Sequence, residues 1–143
     1  MKMNGLIGAS VFAMVTFAAG SSVTIAQQAS ALIEADTLTA AQLVEVRDKA
    51  GAVLLHGTLT TEENTPKETE RKADLASPGG QAAKGEIEIE VERKDGVVTK
   101  NEIELEVEKL PAMLDCELFL DGRAIGSFVT SKKGKGKLEL NWK

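Results

Sequence analysis

The chain has 143 residues, with 22 acidic and 17 basic side chains, a formal net charge of −5, one histidine, one cysteine and no tyrosine. That length suits a single ordinary domain, and the acidic balance counts against binding a phosphate backbone. A multidomain machine, a polytopic membrane protein and a basic nucleic-acid binder are excluded at the outset.

Met1, Lys2 and Met3 make a short basic start, Leu6 to Ala19 is almost wholly apolar, and small residues follow. This is the order of a secretory signal peptide. Cleavage after Ala31 fits the Ala29-Ser30-Ala31 pattern, and Ala26 is the other position that fits. The first choice divides the chain into a signal peptide, residues 1–31, and one domain, residues 32–143. The apolar run is well short of the roughly 20 residues that span a bilayer. The expected product is a protein in a periplasm or outside the cell, not membrane-spanning. An uncleaved signal anchor is the alternative.

Export favours disulfides, yet Cys116 is the only cysteine, so stability has to come from packing. It sits in step with Leu114, Leu118 and Leu120 and is expected to act as a small buried apolar side chain. An intermolecular disulfide or a reactive thiol is the other reading. After the signal peptide only Phe119, Phe128 and Trp142 remain as aromatics. That is too few for a stacking platform for sugars or single strands.

In chain order, Leu32 to Thr39 is expected as a strand or edge segment. Gln42 to Arg47 and Ala52 to Thr60 alternate apolar and polar residues about an Asp48-Lys49-Ala50-Gly51 turn, as a hairpin does. Residues 61–84 read as a long polar connection, with Thr65-Pro66-Lys67-Glu68 as a capping box opening a short helix to about Leu75. A functional lid is the sharper reading of that stretch.

Glu86-Ile87-Glu88-Ile89-Glu90-Val91-Glu92 is then nearly repeated by Glu102-Ile103-Glu104-Leu105-Glu106-Val107-Glu108. On a strand all the glutamates of each segment share one face; on a helix they would scatter. Leu114 to Leu120, Arg123 to Thr130 and Lys137 to Trp142 complete the pattern, with Gly126 as the marker of a bulge. About seven short strands with one apolar face each predict an all-β fold, an antiparallel β-sandwich of immunoglobulin-like or transthyretin-like kind.

The glutamate rows are the main candidate for chemistry. Clustered carboxylates suit a hard cation such as Ca²⁺, and Glu88, Glu90, Glu104 and Glu106 are the candidate metal ligands. Against this, glutamates two apart on a strand lie about 7 Å from one another, and like charges directly opposite repel. The plainer reading is a charged face that prevents edge aggregation. Residues 86–108 carry nine acids and three bases, whereas 131–143 carry five lysines and one glutamate, so the two segments can pair within or between molecules.

The lysine-rich turn suits an anionic lipid or cell-wall polymer, or is simply a solvated hairpin tip. His56 lies out of phase with Val53 and Leu55 and has no second imidazole to share a metal. No catalytic residue and no cofactor are expected. The leading reading is an exported non-catalytic module binding an unidentified protein or cell-envelope partner through its surface. A Ca²⁺-responsive module is the alternative, and a small carboxylate-dependent hydrolase the weakest of the three.

Overall fold

Strict alternation of charged and apolar side chains dictates the largest part of the structure, a computed structural model that describes residues 33–143. The expected signal peptide lies outside the described residues. The elements are a helix α1 (Ala35–Ala40) and strands β1 (Leu43–Asp48), β2 (Val53–Thr58), β3 (Thr60–Asn64), β4 (Glu68–Ala76), β5 (Lys84–Lys94), β6 (Val97–Glu108), β7 (Asp115–Leu120), β8 (Arg123–Val129) and β9 (Gly136–Trp142). None of the described helices is long and apolar enough to cross a membrane.

All pairings are antiparallel, in the order β8-β7-β1-β2-β4-β5-β6-β9, with β3 added beside β4. The two ends of this order, β8 and β9, lie in contact, so the sheet curls almost into a barrel. Gly136 lets them approach: a Cβ there would stand 2.6 Å from the Phe128 ring.

The inward apolar side chains of all the strands except β3, which is wholly exposed, meet inside. Val44, Val46, Leu55, Ile87, Ile89, Val91, Ile103, Leu105, Leu118, Leu138 and Leu140 are all buried, as the alternation requires; Val53, expected with them, is only half-buried. The odd phase of β8 has a local cause. Its register against β7 shifts between Leu118 and Phe119, so that Leu118 faces Gly126 and Phe119 faces Ala124. The extra residue turns both Ile125 and Phe128 inward.

Two expectations are corrected. Residues 33–41 do not form a strand. Alanine and leucine favour a helix, and α1 needs to bury only Leu38, which joins Ile33 and Ala41 in the core.

Residues 61–84 are not a long polar connection with a helix. They hold β3 and β4, and only about 77–83 remain as a loop. The Thr65-Pro66-Lys67-Glu68 capping chemistry closes a hairpin instead: Thr65 Oγ1 accepts from the Lys67 and Glu68 amides at 3.2 and 3.0 Å, and the Thr65 amide donates to the Glu68 carbonyl at 2.8 Å.

Candidate functional site: a charged sheet face

Each strand that buries alternate residues must turn the others outward, the even ones on β4, β5 and β6 and the odd ones on β9. On β4 these are Glu68, Glu70, Lys72 and Asp74, on β5 Glu86, Glu88, Glu90 and Glu92, on β6 Lys100 and Glu102 to Glu108, and on β9 Lys137, Glu139 and Asn141. Register aligns them into rows across the sheet. One row runs Glu70, Glu90, Glu102, Asn141; the next Lys72, Glu88, Glu104, Glu139; the next Asp74, Glu86, Glu106, Lys137.

Four lysines hold this face together, one of them Lys84 at 3.5 Å from Glu108. Lys100 Nζ lies 3.0 Å from Glu90, 3.4 Å from Glu102 and 3.5 Å from Glu92. Lys72 reaches Glu88 at 3.4 Å, and Lys137 reaches Glu106 at 3.6 Å. Their carboxylate neighbours raise the pKa of both Lys72 and Lys100.

The lysines do not neutralise everything. Glu104 stands directly opposite Glu139, and Glu68 and Glu70 stand diagonally across from Glu90 and Glu88. Hydrogen bonding to Glu90, then burial and repulsion, pushes Glu68 up to about 7, and Glu70 and Glu104 are raised for the same kinds of reason. Glu90 is lowered, chiefly by its hydrogen bonds to Glu68 and Lys100.

These shifts fix a sign. In the folded state Glu68 keeps its proton above pH 4.5, where the unfolded chain has lost it. Its contribution to stability is therefore present below that value and lost as pH rises through about 7. Glu90 acts oppositely, since its contribution is lost as pH falls through its depressed value. The unfolding midpoint is expected to be higher at mildly acidic pH than at mildly alkaline pH, at constant ionic strength. Glu68→Gln should flatten the profile, and a midpoint rising steadily from acidic to alkaline pH would contradict this assignment.

Of the four candidate metal ligands, Glu88 and Glu104 are direct cross-strand partners, Glu90 lies one row away on the same strand, and Glu106 lies in the opposite row, bound to Lys137. The tightest carboxylate group among the described residues is different. It joins Glu68, Glu90 and Glu92, whose oxygens lie within 4.8 Å of one another. Only Glu90 belongs to both sets.

Reading the sequence missed Glu68 because β4 was not recognised. The signal was present in its alternation, masked by Thr69, Arg71 and Ala73 at the inward positions. All the carboxylates lie on an open sheet face. A depression of about 550 Å³ there lies between Asp74, Lys84, Glu86, Glu106 and Lys135.

Elsewhere, His56 is exposed on β2, with Glu45 and Ala76 as its strand neighbours. The aromatic rings are engaged: Phe128 is buried, Phe119 lies under the Arg47 guanidinium at 4.1 Å, and Trp142 donates its indole N–H to the Ile33 carbonyl at 3.0 Å.

Cys116 is buried, and loss of solvation pushes its thiol up to about 12. A thiol reagent at pH 8 is expected to label it only after denaturant is added; rapid labelling of the native protein would show a reactive thiol. The chain matches no family model, no curated protein and no solved structure.

Proposed function

We propose that the protein is an exported, non-catalytic binding or structural module, working in a periplasm or outside the cell, whose working surface is the outer face of β4, β5, β6 and β9. The observation that carries this reading is the set of glutamates standing directly opposite one another across the strands, Glu70–Glu90, Glu90–Glu102, Glu88–Glu104 and Glu104–Glu139, together with the Glu68, Glu90 and Glu92 oxygens within 4.8 Å of one another, despite the four lysines. Like charges held in contact cost free energy in the isolated molecule, and a cationic partner removes that cost.

The test is a titration with oligolysine and, as a control, oligoglutamate. Oligolysine is expected to bind with an affinity that falls steeply with salt and falls again on Glu68→Gln and Glu104→Gln substitution. Equal binding of both peptides, or of neither, would overturn the reading.

The closeness of Glu68, Glu90 and Glu92 favours a second reading, a Ca²⁺-responsive face. It requires the unfolding midpoint to rise with millimolar Ca²⁺ after chelator treatment and not with Na⁺ of equal ionic strength. Lys100 already occupies the cation position beside Glu90 and Glu92, which favours the first reading.

The finer architecture belongs to this proposal too. The segments β8-β7-β1-β2 and β4-β5-β6-β9 are taken as the two layers of an immunoglobulin-like or transthyretin-like sandwich. What supports this is the thin junction between them, where β2 meets β4 through the single pair His56 and Ala76.

A further inference from the structure

The lysine-rich turn and the Glu68–Glu90–Glu92 group lie at opposite ends of the sheet, although Lys135 also borders Asp74, Glu86 and Glu106 at its own end. Lys132, Lys133 and Lys135 occupy the turn between β8 and β9, at the end where Gly136 pairs with Val107. All three are exposed, and among the described residues none makes a salt bridge. The turn is a fixed one. Ser131 donates its amide to the Lys135 carbonyl at 2.7 Å, and its hydroxyl oxygen accepts from the Lys133 and Lys135 amides at 3.2 Å each. The three ammonium groups are therefore presented from a backbone that needs no ordering on binding.

Glu68, Glu90 and Glu92 lie at the other end, where Asn101 pairs with Trp142 and Glu92 with Lys100. Lys100 serves Glu90 and Glu92, whereas Glu68 faces Glu90 and Glu63 with no lysine of its own. The length of β9 separates the two ends, roughly 20 Å at the rise of a strand. A lysine side chain cannot cover that distance, so the turn cannot neutralise the acidic end of its own molecule.

We infer that this protein self-associates head to tail, the Lys132-Lys133-Lys135 turn of one copy docking on the Glu68–Glu90–Glu92 end of the sheet in the next. The inference rests on the reading of the charged face as a binding surface and names its partner as a second copy of this chain. Charge complementarity selects that occupant, because each molecule carries both halves of the contact. Such a contact is heterologous, so it repeats along a row of copies instead of closing into a two-fold dimer. Being formed by exposed charges, it is weak singly and strengthened by low salt.

Sedimentation velocity on the purified protein tests this. At low ionic strength the wild type is expected to form species growing with concentration, and to return to monomer at high salt. Replacing Lys132, Lys133 and Lys135 by Gln in one variant, and Glu68 and Glu92 by Gln in another, should each weaken association by roughly tenfold or more. An equimolar mixture of the two should stop at the dimer, since it offers one intact turn and one intact acidic end per pair.

Circular dichroism melts confirm that both variants are folded. A wild type that stays monomeric at low salt, or a mixture that grows beyond dimers, overturns the inference. If that monomer still binds oligolysine, the inference alone has failed; if it binds neither peptide, the reading beneath it has failed as well.

Discussion

Arg71→Met is expected to destabilise the protein by about 2–4 kcal/mol, lowering the unfolding midpoint by roughly 8–20 °C for a domain of this size. Arg71 is on an inward position of β4 and is almost fully buried. Its guanidinium donates to the main-chain carbonyls of Ala41, of Leu38 at 3.5 Å and of Leu59 at 3.4 Å, and to Thr61 Oγ1 at 3.2 Å. Leu38 and Ala41 lie at the end of α1, where carbonyls have no helical partner and the helix dipole is negative.

Burial lowers the Arg71 pKa and the charge of Asp121 opposes that shift, so the cation is held mainly by oriented dipoles. Methionine fills similar space but supplies no donor, and the carbonyls lose their partner inside the protein. Arg71→Lys should recover part of the loss, since one ammonium cannot reach three carbonyls and a hydroxyl in the fork geometry of guanidinium. Denaturant titration measures both variants, and an Arg71→Met protein within experimental error of wild type would refute the assignment.

Gly134→Ala is expected to cost about 2–4 kcal/mol as well, for a different reason. Gly134 has φ +78, which alanine adopts only under strain, and an added Cβ would overlap the carbonyl oxygen of Leu110. Relief requires the turn to move off Leu110, which breaks the hydrogen bond from the Leu110 amide to the Gly134 carbonyl at 3.1 Å. Gly122→Ala is the control: it has φ +82 with nothing near the added Cβ, so only the backbone strain remains and its cost should be visibly smaller. Equal melting shifts for the two variants would show that the contact with Leu110 carries none of the effect.

The strands that were legible are those whose inward positions are large and apolar. Ile87, Ile89 and Val91 on β5, with Ile103, Leu105 and Val107 on β6, leave no alternative to a strand pair, and their glutamates follow onto one face. β4 was not legible because its inward residues include Thr69, Arg71 and Ala73, which read as a polar linker. A buried arginine makes sense only once tertiary structure brings main-chain carbonyls around it.

The same limit hid part of the candidate site. Glu88, Glu90, Glu104 and Glu106 could be placed on adjoining strands, but Glu68 enters through long-range pairing with β5. The phase of β8 was unreadable for a local reason, since a bulge lets Ile125 and Phe128 share a side that simple alternation denies them. For α1, six residues of alanine, aspartate, threonine and leucine carry too little periodicity to separate a helical turn from an edge strand.

The indole of Trp142 and the carbonyl of Ile33 meet across 109 positions of sequence. No ribosome or translocation channel delivering the chain from its N-terminal side can complete that contact until β9 has emerged. Closing so long a loop carries an entropic cost that local hairpins such as β5–β6 do not meet. The Ile33 end of the domain is therefore among its first parts to be made and among the last to be fixed.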